Sequence, residues 1–148
     1  MMQKVDILKA GINDISEIVK IEEKYIPDGW SEKAFSHWLE NKNTIIFKAV
    51  IQNKIIGFIN GSFVLDEGEL LNIAVEEQYR ILKTGSLLFE YLENYFKEMN
   101  VSKIFLEVRE KNTSAIGFYL KHGFEKNGLI KNYYNNPKDN GILMMKNI

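Results

Sequence analysis

The sequence contains no cysteine, only two prolines and only two histidines in 148 residues. Without cysteine the chain can form no disulfide, carries no thiolate nucleophile and offers no thiolate ligand to zinc. The two histidines, His37 and His122, are too few for a histidine-rich metal site, so we predict no metal centre. The formal net charge is -1. Because proteins that coat nucleic acid normally carry a large basic excess, we expect no direct nucleic-acid binding.

Long hydrophobic runs are also missing. No apolar stretch reaches the roughly 18 residues that a membrane-spanning helix needs, and residues 1–10 lack the basic-then-apolar pattern of a signal peptide. We therefore expect no membrane association and a cytoplasmic location. Apolar residues still make up 45% of the chain, which is enough for a core, and the length suits one domain. Since no linker or low-complexity segment interrupts it, we predict a single domain over residues 1–148.

The hydrophobic pattern predicts strands and helices that follow one another along the chain. Helices are expected at 14–25, from 31 onward, around 87–99 and at 112–122. Strands are expected at 4–10, 44–51, 55–65, 69–75, 102–109, 124–134 and 140–146, and tight turns at 52–54 and 66–68 make the second to fourth strands an antiparallel meander. We predict an α/β fold with a mixed, mostly antiparallel sheet of about seven strands flanked by about four helices.

The first candidate site is the connection that follows the strand at 69–75. It carries Arg80 and Lys83, and the next helix opens around Gly85 and Ser86. The N-terminus of a helix presents unpaired N–H groups and a partial positive charge, so this segment can bind phosphate. The alternative is an ordinary connection with solvated cations, and one glycine does not decide between the two.

The second candidate is Glu107 in the strand at 102–109. Alternation along the strand puts Phe105, Glu107 and Arg109 on one face. Partial desolvation beside Phe105 would raise the pKa of Glu107 toward that of a general base. The alternative is a Glu107–Arg109 ion pair on the sheet face, which the pattern alone favours.

The third candidate is the helix that follows. Asn112 suits an N-cap, and Tyr119, two turns on, points to the same side of the helix. A buried tyrosine usually packs as a core residue, but its hydroxyl can also donate a proton to a thiolate. Tyr133 and Tyr134 are adjacent in a strand and should face opposite sides. Trp30 either covers a pocket or packs against the start of the second helix.

Several runs taken together resemble the GNAT acetyltransferases. Residues 70–75 and 79–88 resemble the acetyl-CoA-binding motif of that family, and residues 106–112, 115–119 and 123–124 resemble its second signature. Residues 30–32, 65–67 and 132–134 resemble the RimI-type ribosomal-protein-alanine N-acetyltransferases within the family. The family loop has glycine where this chain has Lys83. A non-glycine residue with positive φ at that position would cost about 1–2 kcal/mol.

The resemblance implies that acetyl-CoA is the acetyl donor. It also implies a set of cofactor-binding residues, held partly through backbone groups: Ile73, Ala74, Val75, Arg80, Ile81, Leu82, Lys83, Thr84, Gly85, Ser86, Asn112 and Tyr119.

The resemblance further implies Glu107 as the general base and Tyr119 as the general acid. Glu69, on a neighbouring strand, is a second candidate base and a candidate contact to the acceptor. Trp30, Tyr133 and Tyr134 would line the acceptor-peptide groove. The N-terminal α-amine of a protein, a ribosomal protein in the subgroup named, is the expected acceptor. An α-amine also has a pKa near 8, against about 10.4 for lysine, so one carboxylate deprotonates it more easily. A small-molecule amine acetyltransferase and a non-catalytic acyl-CoA-binding module remain the alternatives.

Overall fold

Residues 4–148 are described by a computed structural model, in which seven strands form one sheet. Four α-helices of eight or more residues and two short 3-10 helices, Ile12–Asp14 and Glu77–Leu82, complete the described chain. The elements in chain order are β1 (Asp6–Lys9), α1 (Ile15–Tyr25), α2 (Glu32–Leu39), β2 (Thr44–Ile51), β3 (Lys54–Val64), β4 (Glu67–Val75), α3 (Thr84–Glu98), β5 (Lys103–Arg109), α4 (Thr113–Lys121), β6 (Glu125–Asn135) and β7 (Lys138–Asn147).

The sheet confirms the predicted fold class. Its strand order is β1-β2-β3-β4-β5-β7-β6, and every neighbouring pair is antiparallel except β4 and β5. The turns are tighter than predicted, because Gln52 and Asn53 both take positive φ in the first turn and β4 already starts at Glu67. The polar connection at 76–84 forms the second 3-10 helix over six of its residues.

The core lies on both faces of the sheet. On one face α3 buries Leu88, Leu92 and Phe96 against sheet residues such as Ile104. On the other face α1 and α2 pack on β2, β3 and β4, with a separate cluster of buried residues that includes Phe35 and Phe58. Within residues 4–148, none of the helices combines the length and the hydrophobicity of a membrane-spanning segment.

The two parallel strands separate soon after they meet. β4 and β5 are paired only over Glu67–Lys103, Gly68–Ile104 and Glu69–Phe105. Beyond these three pairs, β4 stays with β3 as far as Val75 while β5 stays with β7 as far as Arg109. The register between β3 and β4 also shifts beside Asn60, which leaves an unmatched residue in β4, and such a bulge bends a strand. The result is a wedge-shaped gap between β4 and β5.

Candidate active site

One edge of the gap is the second half of β4, residues 70–75. On the side toward β5 this stretch has no strand partner in the described chain. An unpaired strand edge offers backbone N–H and C=O groups to an extended ligand that carries amide groups. The predicted cofactor residues Ile73, Ala74 and Val75 all belong to this edge.

The N-terminus of α3 lies at the same gap. A Cβ atom built on Gly85 would stand 3.3 Å from the Phe118 ring of α4 and 4.0 Å from Ile73 of β4, so the first turn of α3 meets both. Within residues 4–148, no hydrogen bond outside regular elements uses the backbone N–H groups of Thr84, Gly85 or Ser86. Three free N–H groups at the positive end of a 15-residue helix can bind a phosphate.

Lys83 is the residue immediately before α3. Its φ of 58° and ψ of 32° are left-handed, so the position does need positive φ, as the comparison with the family loop anticipated. Lysine is strained there because its Cβ crowds the backbone. Its backbone nevertheless closes the preceding turn, donating to the carbonyl of Arg80 and accepting from the N–H of Leu87.

Some of the remaining side chains of the loop make hydrogen bonds that hold it in place, and others are exposed. The Arg80 Nε donates to the Val75 carbonyl at 3.0 Å, and its guanidinium lies over the Tyr25 ring. The Thr84 hydroxyl donates to the Tyr79 carbonyl, and the Ser86 hydroxyl lies 3.0 Å from the His122 ring. Ile81 is 87% exposed and Leu82 37% exposed. The loop is therefore held by its own side chains, and its backbone is left to meet a ligand.

Asn112 is the N-cap of α4. Its side-chain oxygen accepts a hydrogen bond from the Ala115 N–H at 3.1 Å, so the capping alternative is confirmed. The side chain is exposed, and a cap uses only the oxygen, which leaves its amide N–H₂ group for a ligand.

Tyr119 is one of the buried residues of α4, with 7% of its surface exposed. Its ring packs on Phe118 and Phe124. Burial raises the pKa of its hydroxyl well above the ordinary value, and Tyr134 acts in the same direction. Tyr119 therefore stays protonated at neutral pH and can act as a hydrogen-bond or proton donor.

Glu69 and Glu107 face each other across the narrow end of the gap. Both line a cavity of about 270 Å³ on the face of the sheet that α1 and α2 also cover. Burial raises the pKa of Glu69, whose side chain still reaches solvent, and the negative charge of Glu107 raises it further. Glu107 is exposed as well. The anticipated Glu107–Arg109 ion pair is not present among the described residues, because Arg109 bonds elsewhere.

Tyr133 and Tyr134 both lie beside these carboxylates. The adjacent Glu107 raises the pKa of Tyr133 to about 12, while burial and then Glu107 raise the pKa of Tyr134. Our expectation that the two rings face opposite sides of the strand is wrong: their centroids are 4.9 Å apart. The register shifts between Ile130 and Tyr134, and Asn132 takes a φ of 54°, so alternation fails there.

Arg109 joins two loops at the other end of Glu107's strand face. Its guanidinium lies 3.2 Å from Asp28 in the α1–α2 loop and donates to the carbonyls of Asn136 and Pro137 in the β6–β7 turn. It also lies over the Tyr134 ring, 4.3 Å from the centroid. These contacts fix the two loops as walls beside Glu107. No sequence pattern signals them, because they join positions about 81 and 28 residues apart.

Trp30 lies in the same α1–α2 loop. Its ring packs against Phe35 and Trp38, with centroids 4.9 and 5.4 Å away, and it is half-buried. The interpretation that Trp30 packs against the start of the second helix is therefore confirmed, and its exposed part faces solvent beside the loop.

Comparison with known proteins decides the family. The model of the Acetyltransferase (GNAT) family matches residues 15–124, which include both edges of the gap, the start of α3 and all of α4. The chain belongs to the GNAT acetyltransferase family. It is an acetyl-CoA-dependent N-acetyltransferase, as its resemblance to that family implied.

The relatives of this GNAT acetyltransferase include enzymes that act on proteins. The ribosomal protein bS18-alanine N-acetyltransferase of Escherichia coli strain K12 is 31% identical over 88% of this chain and 89% of its own. An N-alpha-acetyltransferase of Sulfurisphaera tokodaii is 28% identical over 90% of this chain and 87% of its own. The crystal structure of the ribosomal-protein-S18-alanine N-acetyltransferase from Escherichia coli superimposes with a TM-score of 0.89 at 29% identity, covering 98% of this chain and 94% of that one.

Proposed function

We propose that this GNAT acetyltransferase transfers the acetyl group of acetyl-CoA to the N-terminal α-amine of a protein. Its relatives named ribosomal protein bS18-alanine N-acetyltransferase support a protein as the acceptor. The observation that carries the proposal is the wedge-shaped gap. It combines an open strand edge, a helix N-terminus and a pair of carboxylates with two walls that leave room for a chain end.

The donor side of the gap fits acetyl-CoA. The free N–H groups of Thr84, Gly85 and Ser86 would hold the pyrophosphate, and the edge of β4 at 73–75 would pair with the amide-bearing pantetheine arm. The Asn112 amide N–H₂ would add a contact from α4. Bound acetyl-CoA supplies an activated thioester, and the backbone N–H groups of β4 would polarise its carbonyl.

Two carboxylates on the acceptor side favour loss of a proton from the amine. An α-amine has a pKa of about 8, and an ordinary carboxylate is a weak base for it. Burial and the negative charge of Glu107 raise the pKa of Glu69, which supports a role for this side chain in binding the proton. Glu107 would take the proton, directly or through a water molecule, and Glu69 is the second candidate.

Tyr119 would act on the leaving sulfur. A thiol has an ordinary pKa of about 8.5 and a phenol one of about 10, so complete transfer of the phenolic proton to a thiolate costs roughly 2 kcal/mol. Burial raises that cost further. Tyr119 would therefore act first as a hydrogen-bond donor that stabilises the developing thiolate, with proton transfer late in the step.

The function is tested by binding and turnover together. Calorimetry with acetyl-CoA should show binding, and CoA release should follow when peptides that begin with alanine are added. If a small amine such as spermidine is acetylated and no peptide is, the acceptor is a small molecule and not a protein. Tight acetyl-CoA binding without turnover on any amine would indicate a binding module.

The base is tested by comparing Glu107→Gln with Glu69→Gln. If Glu107 is the base, Glu107→Gln lowers kcat/KM by about a hundredfold or more and removes the acidic limb of its pH profile, whereas Glu69→Gln keeps that limb. Glu67→Gln, the third carboxylate of the same cavity, is the matched control and should keep the wild-type profile. Loss of the limb in Glu69→Gln alone would transfer the role to Glu69.

A further inference from the structure

Glu22 is a fully buried carboxylate on α1 that the chemistry above does not use. None of its surface is exposed. Its Oε2 accepts a hydrogen bond from the backbone N–H of Trp30 at 2.7 Å, and its Oε1 is buried without a partner among residues 4–148. An unpartnered buried polar atom costs about 1–3 kcal/mol. An apolar side chain at this position would avoid that cost. The presence of a carboxylate therefore suggests that its one hydrogen bond, to the Trp30 N–H, has a role.

The α1–α2 loop is shaped around this side chain. A Cβ atom added to Gly29 would stand 2.6 Å from Glu22 Cγ and 3.2 Å from its carboxyl carbon, so the Gly29 backbone rests directly on Glu22. The very next residue, Trp30, donates the hydrogen bond. Glu22 therefore fixes the loop from below through both contact and hydrogen bonding.

The same loop borders the acceptor side of the gap. Asp28, two residues before Trp30, reaches Arg109 at 3.2 Å, and Arg109 lies two residues after Glu107 on the same face of β5. Arg109 holds the β6–β7 turn as well. A shift of the loop at Gly29 and Trp30 would consequently move the wall next to Glu107, while the start of α3 lies on another part of the gap.

We propose that Glu22 is a positioning residue for the acceptor: by anchoring the Trp30 N–H it holds the α1–α2 loop in the form that receives the amine-bearing chain end. This rests on the proposed function of the gap. Glu22 acts through the loop and does not touch acetyl-CoA or the reacting atoms. Its loss should therefore weaken use of the acceptor and leave use of the donor unchanged.

The kinetic test compares two variants of Glu22. Glu22→Met keeps the side-chain volume but has no oxygen to accept the Trp30 hydrogen bond, whereas Glu22→Gln keeps an amide oxygen that can accept it. Glu22→Met should raise KM for the best peptide acceptor about tenfold, with KM for acetyl-CoA within about twofold of wild type, because one hydrogen bond is lost. Glu22→Gln should restore most of the acceptor KM. The control is Glu23→Met, which changes the exposed neighbour on the same helix and should alter neither constant.

An equal rise of both KM values, a change in kcat alone, or a Glu22→Gln variant no better than Glu22→Met would overturn the proposal. If Glu22→Met does not fold, Gly29→Ala provides the second test. Its new methyl group must displace Glu22 and should raise the acceptor KM in the same selective way. A folded Gly29→Ala variant with wild-type acceptor KM would also contradict the proposal.

Hydrogen exchange separates this proposal from the function on which it rests. The Trp30 amide should exchange slowly in the wild-type protein and about tenfold faster or more in Glu22→Met, with no change in Glu23→Met. If no amine is acetylated, the proposed function fails while the exchange result still decides whether Glu22 anchors the loop. If turnover occurs but Trp30 exchange is the same in all three proteins, the anchoring role fails alone.

Discussion

Tyr119 differs from an ordinary surface tyrosine because it is buried, with 7% of its surface exposed, and its ring packs on Phe118 and Phe124. Burial keeps its hydroxyl protonated. A protonated donor close to a leaving thiolate lowers the barrier of the chemical step and contributes little to ground-state binding.

We predict from this that Tyr119→Phe lowers kcat by about a hundredfold with little change in either KM. Steady-state kinetics over a range of pH measure the effect. Since phenylalanine preserves the ring that packs on Phe118 and Phe124, stability should change little. Unchanged kcat across the pH range would remove Tyr119 from the acid role.

Glu22 makes a separate prediction about stability. Burial raises its pKa in the folded protein from an ordinary 4.5 to about 7, and the Trp30 hydrogen bond opposes only part of that rise. Between pH 4.5 and about pH 7, Glu22 has lost its proton in the unfolded chain but still holds it in the folded protein. The extra stability from this proton is therefore complete below pH 4.5, the pKa in the unfolded chain, and is lost as the pH rises to about 7.

The size of that loss is about 3 kcal/mol, because each unit of pKa difference is worth about 1.4 kcal/mol. Urea unfolding of the wild-type protein between about pH 5 and about pH 8 should show the fall, and Glu22→Gln should remove it. Parallel stability curves for the two proteins would mean that Glu22 titrates normally in the folded chain.

At the scale of elements, local pattern was sufficient to predict most of the sheet and its helices. The stripe of apolar residues on α3 and the alternation along β5 reflect burial on one face, which a sequence expresses directly. Glu22 was missed although a signal existed: with Ile15 and Ile18 it falls on the buried helical stripe of α1, at positions i, i+3 and i+7. A charge on such a stripe indicates a specific buried partner.

The loop before α3 was predicted less well because its fold depends on contacts outside it. Arg80 reaches back to Val75, and Tyr79 accepts from Thr84, so the loop winds into a 3-10 helix that its polar composition does not signal. Only the conformational demand at Lys83 could be anticipated, and only through the resemblance to the family.

Lys83 permits a test of the loop that separates backbone from charge. Lys83→Gly should raise the free energy of unfolding by up to about 1 kcal/mol, because relief of left-handed strain outweighs the greater freedom of glycine in the unfolded chain. If the ammonium contacts a phosphate, Lys83→Gly and Lys83→Asn should both weaken acetyl-CoA binding, more at low than at high salt. Urea unfolding measures the change in stability, and calorimetry with acetyl-CoA at two ionic strengths measures the change in binding. Unchanged Kd in both variants would show that Lys83 makes no contact with the cofactor.

At the scale of the whole molecule, the site is a product of topology. The gap exists because β4 and β5 share only three residue pairs. Beyond these pairs β4 remains paired with β3, and β5 remains paired with β7. The carboxylates, the tyrosines and the helix N-terminus come from five elements and meet only there. Contacts such as Asp28–Arg109 close the side of the gap beside Glu107 across 81 residues of sequence. Such meetings are set by packing, so the sequence alone supplied candidates and the family resemblance supplied their roles.

The most direct test of the central claim uses one peptide that carries both a free N-terminal alanine amine and an internal lysine. After incubation with acetyl-CoA, fragmentation by mass spectrometry locates the acetyl group. We predict acetylation of the α-nitrogen, and none when that amine is blocked beforehand. Acetylation of the lysine side chain, or continued CoA release with the blocked peptide, would contradict the claim.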